Sequence, residues 1–313
     1  MSRRQSLAGQ FYFIGAFSLA GTSVVAARYV SGAIGVFTIA AVSLFFASFA
    51  LLPVCARKLR TAVRAMTFST GVEILLQALF GMLLFRFCLF NGISRTSSLE
   101  AGVLIGATPA ITALLAWMFL KEKLRVNTFF GLAATVAGVV LVQGLAGLKS
   151  GLQPEHLLGN VLVLCAAASE SIFNILSRTA VLNGDKQARP LDPLTQTALV
   201  TMTALLLCCI PAALEQPIIR LSALSAVGWA ALLWLGVIVT ALAYIFWYSG
   251  IKRCSAFTAA AYSGFMPLTS MVLSAVLLRE QTDAFQWIGG ACVILGMLLI
   301  GLNERHASAE SIA

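Results

Sequence analysis

Glu170 stands inside a long apolar stretch, and Asn174 follows one helical turn later, with Phe173 and Ser177 on the same stripe. A carboxylate in that setting can hold a substrate amine or carry a proton. It can equally tie two helices together through hydrogen bonds. Arg86 is the matching basic group in an earlier apolar stretch. It can grip a substrate carboxylate through two parallel hydrogen bonds, or snorkel outward with its stem along Phe90. Gln77 lies nine residues before Arg86, about 180° around an α-helix. Only one of the two is therefore expected to face a common cavity. Gln77 is preferred, with Glu73 and Phe80 beside it, and Arg86 is expected to snorkel or pair with an acid.

Two aromatic stripes accompany these groups. Tyr262, Phe265, Met266 and Thr269 recur at i, i+3, i+4 and i+7, and Ala241, Tyr244 and Tyr248 line another helix face. Such stripes serve packing or ligand contact, but tyrosine hydroxyls in an apolar medium need partners. Trp229, Trp234 and Trp247 fit interfacial anchors. Glu100 falls in a predicted first helical turn, where the helix dipole favours an acid. Pairing with Arg86 or Arg95 would make it a gate. Pro109 and Pro267 fall inside predicted helices and are expected to kink them, as static bends or as hinges. No P-loop, catalytic triad or metal-ligand cluster is visible, so no catalytic residue, metal or cofactor is expected and the chain does not read as an enzyme.

The elements that must position these residues follow from composition. Of 313 residues 59% are hydrophobic and only 11% charged, with mean hydropathy +0.93. A water-soluble domain carries about a quarter charged residues. Apolar runs of ~18 residues or more recur, which marks a multi-pass membrane protein. Period-2 alternation is lacking, so the spans are helices rather than barrel strands. The net charge of +9 sits in short loops between runs, which argues against nucleic-acid binding. Seven scattered cysteines and two histidines make no disulfide or metal framework.

Ten spans are predicted, at roughly 11–29, 35–56, 70–91, 98–119, 126–145, 157–180, 195–214, 224–248, 256–278 and 285–302. With the amino terminus inside, fifteen loop Lys and Arg fall on the inner side and five on the outer. That bias places both termini in the cytoplasm.

The chain is also written twice. Pro109 and Pro267, Glu122 and Glu280, and Gly138 and Gly296 are each 158 residues apart. Five spans per copy is an odd number, so the second copy is inverted. Residues 1–150 and 151–313 then form two inverted five-helix repeats of one all-α integral membrane domain, with a site expected near the midplane where they meet. Rows of small residues (Gly131, Ala134, Gly138; Gly289, Cys292, Gly296) permit close helix contact, as scaffold or as a homodimer face.

The proline-bearing helix, its Leu-(Lys/Arg)-Glu end and the following glycine-rich helix resemble the EamA repeat of the drug/metabolite transporter superfamily. The match covers the third to fifth and eighth to tenth spans. The usual Trp-Gly pair of the first helix is replaced by Ala20-Gly21-Thr22 and Ser169-Glu170-Ser171, and the second helix lacks its usual Arg around Ser43. The resemblance implies a central cavity lined by the first, third, fourth, sixth, eighth and ninth helices, and export of small metabolites such as amino acids across the cell (inner or plasma) membrane. Alternating access by rocking of the two halves is the expected mechanism, with protons as the candidate coupling ion. A lipid or lipid-linked sugar flippase, or a permease for nucleotide-sugar-like substrates, is the competing reading.

Overall fold

The structure is a computed structural model. It describes residues 3–30, 33–93, 95, 104–105, 107–121, 126–143, 157–184, 191–277 and 284–310. Helices fill it, and no β-strand occurs among the described residues. In chain order they are α1 (Arg3–Gly21), α2 (Ser23–Arg28), α3 (Val36–Arg64), α4 (Phe68–Ala78), a π-helical stretch (Leu79–Leu84) and α5 (Phe85–Ile93). Next come α6 (Thr108–Leu120), α7 (Val126–Gln143), α8 (Leu157–Gly184), α9 (Pro193–Leu214), α10 (Pro217–Ser222) and α11 (Ala226–Trp234). A second π-helical stretch (Leu235–Leu242) leads into α12 (Ala243–Ile251), α13 (Ala256–Tyr262), α14 (Phe265–Leu277) and α15 (Ala284–Glu310).

Among the described residues, five helical rods are long and apolar enough to cross a membrane: Val36–Arg64, Phe68–Leu89, Leu157–Asn183, Pro193–Leu214 and Ala226–Ile251. Shorter apolar helices, Thr108–Leu120, Val126–Leu141, Leu268–Leu277 and Ala284–Gly296, lie where further spans are expected. Their outer faces are apolar. Phe49, Leu206 and Ile210 are 70%, 72% and 74% exposed, a surface suited to lipid rather than water.

The repeat is visible in local structure. Thr67 and Ser225, 158 residues apart, cap α4 and α11 by accepting from the N–H of Thr70 and Gly228. The two π-helical stretches overlap at the same offset. In the second, the Thr240 hydroxyl donates to the Leu235 carbonyl five residues back, at 2.7 Å. An i→i+5 pattern inside an apolar helix re-aims every side chain beyond it.

The prolines depart from expectation. Pro109 lies in the first turn of α6, and Pro267 is the third residue of α14. Neither kinks a helix from within. A first-turn proline costs little, because its missing N–H has no intrahelical partner there. The break precedes each proline, and in the second copy it falls between α13 and α14. The prolines inside helices are Pro53 in α3 and Pro211 in α9, again 158 residues apart. Glu100, Glu122 and Glu280 lie outside the described residues.

Equivalent helices pack antiparallel. At one end of α3 and α9, Glu215 at the α9 C-terminus accepts from the N–H groups of Phe37 (3.1 Å) and Thr38 (2.8 Å). The Thr38 hydroxyl adds a third bond at 2.8 Å. At the other end, Lys58 of α3 meets Asp192 before α9 at 3.4 Å. Between α7 and α15, a Cβ on Gly138 would stand 2.6 Å from the Gly289 carbonyl oxygen, and one on Gly296 2.5 Å from that of Gly131. These glycine rows are therefore used within one chain and are not a free homodimer face.

The remaining helices are exchanged between the halves. α8, which opens the second copy, packs on α4, α5 and α6 of the first. α1, which opens the first, packs on α12, α13 and α14 of the second. The bundles formed by this exchange each combine helices of both repeats.

Candidate functional site

The exchanged bundles meet along a seam lined by α1, α4–α5, α8 and α12–α14, and its centre is aromatic. Phe173 of α8 lies 5.7, 5.8 and 6.3 Å, ring to ring, from Tyr244, Trp247 and Tyr248 of α12. Phe13 of α1 bridges Trp247 (5.4 Å) to Tyr262 (6.2 Å). Tyr262 in turn stacks on Phe265 at 6.4 Å and 16°. Of the candidates, Phe173, Tyr244, Tyr248, Tyr262 and Phe265 thus belong to one continuous wall. The expected stripe on α14 is split by the helix break, with Tyr262 ending α13 and Phe265 starting α14. Gly81 allows the close approach, since a Cβ there would run into the Phe173 ring.

Polar groups divide into two sets. Gln77 is fully buried, and its Oε1 accepts from the Tyr248 hydroxyl (2.7 Å) and from Gln196 Nε2 (3.1 Å). This node joins α4, α9 and α12. Phe80 is half-buried, and its carbonyl accepts from Ser169 at 3.1 Å. Glu73 accepts from Asn183 at 3.0 Å, which takes it away from the Gln77 node.

The second set ties α8 to α6. Asn174 Nδ2 donates to Thr112 Oγ1 (3.3 Å), and the Thr112 hydroxyl donates to Ser171 Oγ (3.0 Å). The Thr108 hydroxyl, which donates to the Ile105 carbonyl at 2.7 Å, lies close to Glu170. Asn174 is 3% exposed and acts inside this ladder. Glu170 sits one turn earlier, at its edge. Glu170 and Tyr244 lie deep in the bundle, and both keep accessible surface.

Arg86 differs from expectation. Its Nη1 reaches Ser43 Oγ at 3.5 Å, and Ser43 is 1% exposed. The guanidinium acts electrostatically on Tyr244 of α12 and Cys208 of α9. Gln77 faces the same two helices, through Tyr248 and Gln196. The predicted 180° separation fails because the π-helical stretch Leu79–Leu84 lies between them and changes the helical phase. Arg86 and Gln77 therefore share a side.

Trp247 is also no interfacial anchor: it is 5% exposed, packed among Phe13, Phe17 and Phe173. Its position three residues after Tyr244 on one helix face was the available signal. Trp229 and Trp234 are 39% and 45% exposed, and Trp234 donates to Thr22 Oγ1 at 2.9 Å. Phe13, Gln196, Thr108 and Thr112 had no signal beyond their place in apolar helices.

Comparison with known proteins agrees with this arrangement. Residues 7–143 and 157–302 each match the EamA-like transporter family. The uncharacterized transporter YetK of Bacillus subtilis (strain 168) is 29% identical over 305 residues, spanning 95% of this chain and 88% of that protein. The uncharacterized transporter YyaM of the same organism is 24% identical over 228 residues, covering 73% and 72%. A solved crystal structure has the same fold, with TM-score 0.74 at 20% identity over 98% of this chain and 99% of the other. With both repeats matched and the apolar rods in place, this multi-pass membrane protein belongs to the EamA-like transporter family.

Proposed function

We propose that the protein is a secondary transporter that exports small metabolites, such as amino acids, across the plasma membrane by alternating access. In this reading ten spans cross the bilayer with both termini in the cytoplasm, and the substrate moves through the seam. The observation that carries it is the pair Glu170 and Tyr244, deep in the bundle yet accessible, beside a continuous aromatic wall. The aromatic faces suit the apolar part of a metabolite. Glu170 suits its amine or a coupled proton.

Packing supports a choice of moving parts. α3–α9 and α7–α15 are pinned across the repeats, by Glu215 and Lys58 in one pair and by the glycine rows in the other. These pairs act as struts. The bundle of α8 with α4, α5 and α6 rocks against the bundle of α1 with α12, α13 and α14. This replaces the rocking of the two sequence halves.

The test is reconstitution into liposomes with a panel of radiolabelled amino acids, with and without an imposed pH gradient. Protein-dependent flux that responds to the gradient in wild type, and loses that response in Glu170→Gln, is the expected result. Flux in Glu170→Gln that keeps the wild-type pH response refutes the proton-site role. Absence of flux for every amino acid removes them as the substrate class.

A further inference from the structure

An arginine at membrane depth costs insertion energy, is rarely retained without a role, and ordinarily pairs inside the protein. Arg86 lies 18 residues into the rod that starts at Phe68 and seven before its end at Ile93. Among the described residues no carboxylate pairs with it. Its hydrogen bond is the one to Ser43 Oγ, at the long limit of 3.5 Å. A guanidinium carries five N–H donors in a planar fork, so most of this fork's capacity is unused by described side chains.

Direction argues against snorkelling. Helical side chains tilt toward the N-terminus of their helix. With α4–α5 running from inside to outside, Arg86 is tilted inward, away from the nearer outer face. Its neighbours agree, since Ser43 is buried and Tyr244 lies on α12 across the seam. Tyr244 also feels Glu170, and among the described residues no ion pair joins Glu170 to Arg86. The two opposite charges therefore flank Tyr244 without neutralising each other.

We infer that Arg86 is the anchor for a carboxylate group of the transported molecule, with Ser43 steadying the guanidinium and Tyr244 beside the bound group. This rests on the transport reading above and names a chemical requirement for its substrate. A planar carboxylate matches the fork in a bidentate geometry. Arg86 is the cation that acts on Tyr244, with no second one among its charged neighbours. One positive charge suits a carboxylate better than a doubly charged phosphate.

The test uses matched acid and amide pairs: L-alanine and L-alaninamide, L-leucine and L-leucinamide, L-phenylalanine and L-phenylalaninamide, and 3-phenylpropanoate and its amide. Methyl phosphate is the control anion. Binding is read as thermal stabilisation of the purified full chain, and flux is read in liposomes. At least one acid is expected to bind about tenfold or more tightly than its amide, the weight of one charge-assisted hydrogen bond. Arg86→Gln should bring that acid down to the level of its amide. Arg86→Lys, which keeps the charge but not the fork, should recover part of the preference.

An Arg86→Gln protein that keeps the acid preference overturns the inference. So does a wild-type protein that prefers methyl phosphate, or one that binds no acid better than its amide. Flux of any panel member without acid preference sinks this inference and leaves the transport reading standing. Neither binding nor flux of any panel member sinks both.

Discussion

Glu215 makes the sharpest prediction about what holds the two repeats together. Its carboxylate takes the Phe37 and Thr38 N–H groups and the Thr38 hydroxyl, at 3.1, 2.8 and 2.8 Å. It is therefore a capping group supplied from 177 residues away, at the N-terminus of a 29-residue helix. Losing a helix cap costs about 1 kcal/mol, and losing a partly buried charge at a helix end up to about 2 kcal/mol. Glu215→Ala should therefore destabilise by about 2–3 kcal/mol, and Glu215→Gln, which keeps an acceptor, by about 1 kcal/mol.

Gly35 supplies the control. Its backbone (φ −71°, ψ 158°) accepts any residue, so its only reason to lack a side chain is the carboxylate packed against it. Gly35→Ala should push Glu215 off the helix end and cost about as much as Glu215→Ala. In a Glu215→Ala background it should cost nothing, giving a coupling of about 2 kcal/mol. The assay is unfolding in detergent micelles followed by tryptophan fluorescence at a fixed scan rate. At about 2 °C per kcal/mol, Glu215→Ala and Gly35→Ala should each lower the midpoint by about 4–6 °C, and Glu215→Gln by about 2 °C. The reasoning fails if Gly35→Ala costs the same with and without Glu215.

Two further substitutions probe the packing. Gly138→Leu should separate α7 from α15, because its side chain meets the Gly289 carbonyl and Val293; a cost of about 3 kcal/mol or more should appear as loss of the monodisperse peak in size-exclusion chromatography, whereas Gly71→Ala, whose Cβ meets only Met66 Sδ at 3.6 Å, should elute as wild type. Tyr248→Phe removes the hydroxyl that donates to Gln77 and should cost about 1–2 kcal/mol in the same melting assay, and a melting point unchanged within 1 °C would falsify a structural role for that node.

The duplication made most of the helices legible. A constant offset of 158 residues marks the glycine rows in both copies; the caps at Thr67 and Ser225 and the in-helix prolines Pro53 and Pro211 obey the same offset in the structure, because a cap or a close contact is a local requirement that each copy must meet separately. Three features could not be read that way. The phase between Gln77 and Arg86 depends on a π-helical stretch, and the apolar run Leu79–Leu84 does not distinguish an i→i+5 ladder from an i→i+4 one. Prolines mark helix starts as well as kinks, so the sequence around Pro109 and Pro267 does not distinguish a first-turn position from an internal one. The exchange of α1 and α8 is a long-range packing choice, and an apolar stripe does not say which bundle will cover it. The family resemblance had supplied the six lining helices, but the residue-level pairing across the seam had no counterpart in periodicity.

Symmetry explains why the seam can be a binding site at all. Arg86 and Tyr244 occupy equivalent positions, 158 residues apart, on rods that run in opposite directions. The N-terminal tilt of helical side chains then aims both at the middle of the protein from opposite ends. Ser43 and Thr201 are equivalent by the same offset: one accepts from Arg86, while the other is a buried hydroxyl without a hydrogen-bond partner among the described residues. In the first helices the register is 150 residues, as Gly9 with Gly159 and Arg28 with Arg178 show, and there Glu170 corresponds to Ala20. Duplication thus supplies converging geometry at no cost in new folding information. Chemistry arises where the copies differ, an arginine against a tyrosine and a carboxylate against a methyl group. A pathway that were symmetric in chemistry as well as in backbone would offer a substrate two identical ends. In the transport reading proposed above, this one offers a cation on one side and an acid on the other, which would give a bound molecule a defined orientation between them.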